Sequence, residues 1–192
     1  MEKTHHTPSI DEIGAFVINS NRIEGILSGP EDKIHHQSYV AACHWTVKAS
    51  KNCNLLSCQD VHSTIMQHQL TEEEIGVWRK VYVYVGYQAM PAPQHVATLM
   101  CQWERWVKKA FQHPSVQVSA LRHLFFEGLC IHPFADGNGR TFRLLFNYWL
   151  LRSGHKWFTF PEREWFSDWL PGLRKFEKDV FVPKNIHLYP KN

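Results

Sequence analysis

Apolar residues recur every three or four positions over most of the chain, which predicts a mainly helical protein. The first helix follows a capping box formed by Ser9 and Glu12, and it ends before Gly25. Further helices are predicted, with approximate limits, over residues 34–49, 57–70, 93–111, 115–131, 138–152 and 162–179. No repeat or linker interrupts the series, so we expect a single domain over residues 1–192.

One segment alternates like a strand instead. Between residues 81 and 85 three valines alternate with two tyrosines, and β-branched and aromatic residues favour strands. Gly86 suits a turn, and prolines at positions 91 and 93 end the segment. The pattern predicts a β-hairpin over about residues 78–88, which is either a small structural element or a flap over a ligand with an edge available for pairing.

Composition narrows the class of protein without identifying it. The chain is 44% apolar and 20% charged, with a formal net charge of +3 carried by scattered basic residues. We therefore expect a globular protein that binds neither nucleic acid nor a membrane, and a cytoplasmic location. The five cysteines are odd in number and form no CxxC pair, which favours buried reduced thiols over a zinc site or a disulfide framework.

The loop between the fifth and sixth predicted helices carries the candidate chemistry. A glycine-bearing loop that enters a helix leaves backbone N–H groups free at the positive end of the helix dipole, which is a site for an anion such as phosphate. His132 precedes this loop and is a candidate general base. Asp136 is a candidate Mg²⁺ ligand, and Arg140 and Arg143 suit phosphate oxygens. The pattern predicts phosphate-ester chemistry, without a P-loop or a Rossmann motif.

A carboxylate lies at the end of the inward-facing stripe of the first helix. The stripe continues through Ser20 or Asn21 to Glu24. The residues alone leave two interpretations open: a solvated side chain in the last turn, or a group directed at a basic partner.

The segment His132–Arg143 resembles the Fic (Fido) family signature, HxFx[DE]GNGRxxR, at every defined position. His123 stands where the family often has a histidine, and residues 76–96 resemble the family's GxYR…VxVG…PxPxxV flap region. The resemblance covers about residues 57–153 and implies an all-α helical bundle with a small β-hairpin flap beside the active loop. Residues 154–192 match poorly and are expected to form a helical C-terminal extension.

The resemblance implies transfer of AMP from ATP to a Ser, Thr or Tyr hydroxyl of a target protein. His132 would be the catalytic base, Asp136 would hold Mg²⁺ against the phosphates, and Phe134 would anchor the loop. The residues implied to bind the nucleotide are Asp136, Gly137, Asn138, Gly139, Arg140, Thr141 and Arg143. The flap residues implied to line the nucleotide and align the target segment by main-chain pairing are Val83, Tyr84, Val85 and Gly86.

The resemblance also implies a role for Glu24. The run Ser20–Gly25 matches the family's inhibitory pattern, [ST]xxxE[GN], so residues 1–27 would form an N-terminal inhibitory helix. Glu24 would pair with Arg143 and obstruct the γ-phosphate, or it would orient water for the removal of AMP. Transfer of phosphate or phosphocholine, and a catalytically idle nucleotide-binding regulator, remain alternatives. A homodimer that restrains the inhibitory helix is compatible with the family, and the target protein is not indicated.

Overall fold

The computed structural model describes residues 6–27, 29, 32–52, 54–113 and 116–161. Within these residues the helices are α1 (Ile10–Ile23), α2 (Lys33–Ala49), α3 (Cys58–Met66), α4 (Pro93–Ala110), α5 (Val118–Ile131) and α6 (Asn138–Arg152). Strands β1 (Tyr84–Val85) and β2 (Gln88–Ala89) pair antiparallel between α3 and α4. The expected helical bundle with a small hairpin is therefore confirmed.

Helix α6 is the centre of the bundle. Every residue from Arg140 to Leu151 is buried, so this helix has no solvent face over most of its length. Helices α1, α2, α3 and α5 pack around it, and α4 packs against α5 and reaches α6 through Trp103, whose ring contacts Phe142 and Trp149. The loop that precedes α6 is consequently attached to the most buried helix of the fold.

Helix α1 begins where its capping box predicts. The Glu12 backbone N–H donates to Ser9 Oγ at 3.1 Å, and the Ser9 N–H donates to the Glu12 carboxylate at 2.7 Å. On the inward face Phe16 is fully buried against Trp157, with ring centroids 5.1 Å apart. Trp157 is thus a core residue. The inward-facing stripe of α1 then continues to Ser20, which is buried and lies against α6.

Two predicted elements are too long. Helix α3 ends at Met66 instead of near residue 70, because the chain turns and His68 adopts a positive φ of 70°. The hairpin predicted over about residues 78–88 is wrong in extent, since its strands β1 and β2 span only two residues each. The preceding residues bond elsewhere; the Arg79 N–H, for example, donates to the Pro133 carbonyl at 2.8 Å. The predicted helix over residues 162–179 lies outside the described residues.

The cysteines agree only partly with the expectation of buried thiols. Cys43 and Cys58 are buried, and burial raises the pKa of each thiol. Cys130 is half-buried, whereas Cys101 is exposed because it lies on the outer face of α4. Cys43, Cys58 and Cys101 are free thiols, and Cys53 lies outside the described residues. None of the helices described above has the length and apolar content needed to cross a membrane.

Candidate active site

His132 ends α5 in a conformation that presents one ring nitrogen as a base. Its backbone is left-handed (φ 50°, ψ 60°), which is uncommon for a residue with a side chain, and its N–H closes α5 onto the Gly128 carbonyl. Nδ1 lies 3.3 Å from the Leu129 carbonyl, so Nδ1 carries the proton and Nε2 keeps its lone pair. Burial lowers the pKa of His132 to about 4, against smaller opposing effects that include the charges of Glu24 and Asp136. A neutral histidine near pH 7 is the form a general base requires.

The loop after His132 is closed by an asparagine side chain. Asn138 accepts from the Phe134 N–H and donates to the Phe134 carbonyl, both at 2.9 Å. Phe134 is fully buried, as the anchor role requires, and its ring stacks on His62 with centroids 3.8 Å apart. The loop is therefore fixed by hydrogen bonds to its backbone and by the packing of the buried Phe134 ring.

The start of α6 has the geometry of an anion site. Gly137 precedes the helix in the left-handed region (φ 73°), and the first intrahelical bond runs from the Thr141 N–H to the Gly137 carbonyl. The backbone N–H groups of Asn138, Gly139 and Arg140 therefore have no acceptor within the helix, and they lie at its positive end. Because the Thr141 N–H is already used, only the buried Thr141 hydroxyl remains for a ligand; it has no hydrogen-bond partner among the described residues.

A carboxylate already lies at this helix start. A Cβ added to Gly139 would be only 2.1 Å from Glu24 Oε1, so the Glu24 side chain lies directly over Gly139. The same oxygen is 2.5 Å from Arg143 NH2. Of the two interpretations of Glu24, the structure has the one with a basic partner, although about a third of the side chain remains exposed.

Arg143 is held by the last turns of α1. Its guanidinium is buried, with Nε donating to Ser20 Oγ at 2.7 Å and NH2 donating to the Ser20 carbonyl at 3.0 Å. Ser20 Oγ is also 2.9 Å from the Tyr39 hydroxyl, which donates to the Arg140 carbonyl at 2.9 Å. Since that bond uses the only Tyr39 hydroxyl proton, Ser20 must donate to Tyr39. A chain of directed hydrogen bonds thus joins α1, α2 and α6.

Arg140 is oriented by residues from two other parts of the chain. NH1 donates to Gln69 Oε1 at 2.8 Å and to His35 Nδ1 at 3.1 Å, and His35 accepts because an arginine only donates. NH2 lies 3.6 Å from Asp136 Oδ2. Arg140 is 2% exposed, so its guanidinium has a fixed direction rather than a range of rotamers.

Asp136 is the candidate metal ligand of the loop. Its side chain is 67% exposed, which leaves the carboxylate accessible to an incoming ion and its water shell. Among the described residues no group of three or more His, Cys, Asp or Glu side chains gathers in an arrangement that would hold a metal. The exposed Asp136 carboxylate fits Mg²⁺ in its usual form, bound by one carboxylate, substrate phosphates and water.

The hairpin is attached at its base to His132 and the loop that follows it. Tyr84 pairs with Ala89 and Val85 with Gln88, the Met90 N–H donates to the Val83 carbonyl, and Gly86 supplies the turn with φ 59°. Arg79, just before the hairpin, is buried, and burial lowers the pKa of its guanidinium. It donates from Nε to the His132 carbonyl at 2.7 Å and from NH2 to the Pro91 carbonyl at 2.6 Å. The flap and the candidate base therefore share one anchor.

Sequence reasoning overlooked three residues that organise this site: Tyr39, His62 and Arg79. Tyr39 and His62 are fully buried polar side chains on the inner faces of α2 and α3. A polar residue on an otherwise apolar helical stripe is the signal that would have found both. Arg79 belongs to the flap motif, but its contacts with residues 131 and 132 have no local sequence signature.

Comparisons with known proteins agree with this geometry. The sequence profile of the Fic/DOC family matches residues 54–150, about half of the chain. Proteins named "Protein adenylyltransferase Fic" are similar: the Drosophila erecta protein is 39% identical over 108 residues, which span 55% of this chain and 21% of the relative. The Aedes aegypti protein is 39% identical over 98 residues, which span 50% of this chain and 19% of the relative. The matched segment is thus about a fifth of each relative.

Solved structures have the same fold. A Fic domain containing signaling protein from Bacteroides thetaiotaomicron has a TM-score of 0.71 at 21% identity, covering 93% of this chain and 78% of that one. Fic-1 from C. elegans has a TM-score of 0.60 at 20% identity, covering 90% of this chain and 59% of that one. The profile match, together with the loop and helix geometry described above, shows that the chain belongs to the Fic/DOC family.

Proposed function

We propose that this chain is a protein adenylyltransferase, which transfers AMP from ATP to a Ser, Thr or Tyr hydroxyl of a target protein. The relatives named as adenylyltransferases support the reaction class. The observation that carries the proposal is the position of a neutral, Nε2-basic His132 directly before a loop that leads into the N-terminus of a helix bearing two buried arginines.

The chemistry follows from the residues in order. Nε2 of His132 takes the proton of the acceptor hydroxyl as its oxygen attacks the α-phosphorus of ATP. A new oxygen–phosphorus bond forms, the bond to the bridging oxygen of the β-phosphate breaks, and pyrophosphate leaves. The N–H groups at the start of α6, with Arg140 and Arg143, stabilise the negative charge of the phosphates. Asp136 would hold Mg²⁺, which would supply positive charge to the phosphates.

The flap has the role of aligning the target. Val83, Tyr84, Val85 and Gly86 form its first arm and turn, and Tyr84 is 60% exposed. In the described part of the chain the sheet has only two strands, so a target segment can pair with the outer edge of β1. Since Arg79 joins the flap base to the His132 backbone, pairing would bring an acceptor hydroxyl to a fixed distance from the base.

We also propose that the chain is autoinhibited by Glu24. Its carboxylate lies over Gly139 and binds Arg143, where a phosphate of ATP would bind. An anion in this position competes with the terminal phosphate for both the helix dipole and the arginine. Ser20, which accepts from Arg143 Nε, holds the end of α1 in the position from which Glu24 reaches the site.

The test compares self-labelling by the natural chain and by Glu24→Gly with ATP labelled on the α-phosphate in the presence of Mg²⁺. We expect weak labelling of the natural chain and much stronger labelling of Glu24→Gly. His132→Ala in the same background is the matched control, and it should retain nucleotide binding while losing transfer. Equal labelling of the natural chain and Glu24→Gly would refute inhibition by Glu24.

Mass spectrometry of lysate proteins incubated with Glu24→Gly and ATP decides among the related reactions. An added AMP group supports adenylyl transfer, an added phosphate indicates a phosphotransferase, and no addition indicates a nucleotide-binding regulator. Removal of AMP by the natural chain is a second candidate function, because the charge of Glu24 acts on His132 and its side chain is partly exposed to water. Release of AMP from a labelled protein by the natural chain, but not by Glu24→Gly, would establish it.

A further inference from the structure

His62 is a fully buried histidine that the chemistry proposed above does not use. It lies on α3, and its ring stacks on Phe134 with an interplanar angle of 14°. Its Nδ1 lies 2.9 Å from the Gly76 backbone nitrogen, and its Nε2 lies 3.1 Å from the Asp136 carbonyl oxygen. Both ring nitrogens are therefore hydrogen-bonded, one to the segment that leads to the flap and one to the loop that follows His132.

These partners determine the protonation state of the ring. A backbone N–H only donates, so Nδ1 accepts from Gly76, and a carbonyl oxygen only accepts, so Nε2 carries the proton and donates to Asp136. His62 is consequently neutral and has a single tautomer. A buried group with both hydrogen bonds satisfied is a rigid connector, because losing either bond would leave a buried polar group unpaired.

The bond to the Asp136 carbonyl also sets the direction of the next N–H group. In a planar trans peptide the C=O of Asp136 and the N–H of Gly137 point in opposite directions. Gly137 has a left-handed backbone, and glycine permits several peptide orientations at little cost, so the peptide needs an external restraint. The carbonyl points towards His62, and the Gly137 N–H therefore points away from it.

We propose that His62 is a positioning residue that fixes the Asp136–Gly137 peptide so that the Gly137 N–H faces the phosphate site. The inference rests on the proposed function, because it assigns that N–H to the phosphates of ATP. If the peptide turned over, the Asp136 carbonyl oxygen would replace the N–H, and a donor for the phosphate would become a repelling acceptor.

Two substitutions separate the nitrogens of His62 from its packing. His62→Phe keeps a ring against Phe134 but has no nitrogen to hold the Asp136 carbonyl. His62→Gln loses the stacked ring but retains one donor and one acceptor, so it is the conservative rescue. Both are made in the Glu24→Gly background, and far-UV circular dichroism and thermal melting establish that each variant is folded before any binding is measured.

Binding is measured by NMR titration of ¹⁵N-labelled protein with pyrophosphate and Mg²⁺, following the Gly137 amide. In the Glu24→Gly parent we expect this amide to shift downfield as pyrophosphate binds. His62→Phe should bind about 10- to 100-fold more weakly, the range expected for one lost hydrogen bond to a charged group, and its Gly137 amide should not shift. His62→Gln should recover most of the affinity. An unchanged affinity in His62→Phe, or an equal loss in both variants, would overturn the proposal.

The tautomer of His62 can be measured in the natural chain, independently of any binding. The ¹⁵N shifts of the His62 ring should show an unprotonated Nδ1 and a protonated Nε2. A ring protonated at Nδ1 would overturn the proposal even if the variants failed to fold. If the Glu24→Gly parent did not bind pyrophosphate but His62 had the expected tautomer, the proposed function would fail while the restraint on the peptide stood.

Discussion

Replacing Glu127 with glutamine should remove a pH-dependent loss of stability. Glu127 lies on α5 and is 1% exposed. Its carboxyl is 3.3 Å from Nε2 of His123, and neither oxygen has a well-formed hydrogen bond within the described residues. Burial raises the pKa of Glu127 from its ordinary 4.5 to about 8, while burial lowers the pKa of His123. Near pH 7 the carboxyl is therefore protonated in the folded chain.

The sign and size of the effect follow from these pKa values. Between pH 4.5 and about 8 the unfolded chain loses the Glu127 proton and the folded chain keeps it, so the free energy of unfolding falls as the pH rises. A pKa shift of this size on one carboxyl changes the free energy of unfolding by at most roughly 5 kcal/mol. Glu127 also lines an open cavity of about 510 Å³ between α4 and α5, where water can approach, so we expect about 2–4 kcal/mol.

The assay is urea unfolding of the natural chain and Glu127→Gln at several pH values from 5 to 8.5. The difference between their unfolding free energies removes the contributions of groups common to both, and it should shift in favour of glutamine by about 2–4 kcal/mol over this range. Glu73→Gln is the control, since Glu73 is an exposed carboxylate. Parallel profiles for the natural chain and Glu127→Gln would refute the assigned burial of a neutral carboxyl.

Three further outcomes are expected. In Glu24→Gly the rate of AMP transfer should stay constant from pH 8 down to about 5 and fall only near pH 4, because the lowered pKa keeps His132 unprotonated; a pH–rate profile with half-maximal rate near pH 6.5 would contradict this. Gly128→Ala should destabilise the fold, since the new Cβ would lie 2.1 Å from the Phe142 ring. The free energy of unfolding in urea should fall by about 1–3 kcal/mol, and an unchanged midpoint would be inconsistent with that packing. Tyr39→Phe should lower the free energy of unfolding by about 1–3 kcal/mol and raise self-labelling of the otherwise natural chain, because Ser20 loses its buried acceptor. Self-labelling at the natural level would show that Tyr39 does not contribute to inhibition.

Local sequence signals specified much of the fold and the outline of the site. The capping box of α1 and the limits of α6 were predicted correctly, because caps, loop glycines and helical periodicity act within a few residues. The Glu24–Arg143 pair also agrees with the inhibitory pattern that the sequence contains. The hairpin was placed correctly but made too long, since alternation records which residues favour strands and not whether a partner strand is present.

The supports of the site could not be predicted in the same way. Tyr39 reaches the Arg140 carbonyl from 101 residues away, and His62 reaches the Asp136 carbonyl from 74 residues away. Such bonds depend on how α2 and α3 pack against α6, which no local pattern specifies. The sequence shows that Tyr39 and His62 are polar residues on apolar helical faces. Only the packing of the helices determines which carbonyl each side chain binds.

The burial of α6 has a consequence for how this protein can be controlled. The backbone proposed to bind the phosphates begins the most buried helix of the bundle, so hydrogen exchange at the amides in the middle of α6 should require opening of the whole domain. Helix α1, by contrast, is the first described element of the chain, and among the described helices it packs mainly on α2 and α6. Its amides should exchange through a smaller, local opening. The proposed phosphate site would then be lost only when the whole domain unfolds, whereas a local opening of α1 would be enough to move Glu24.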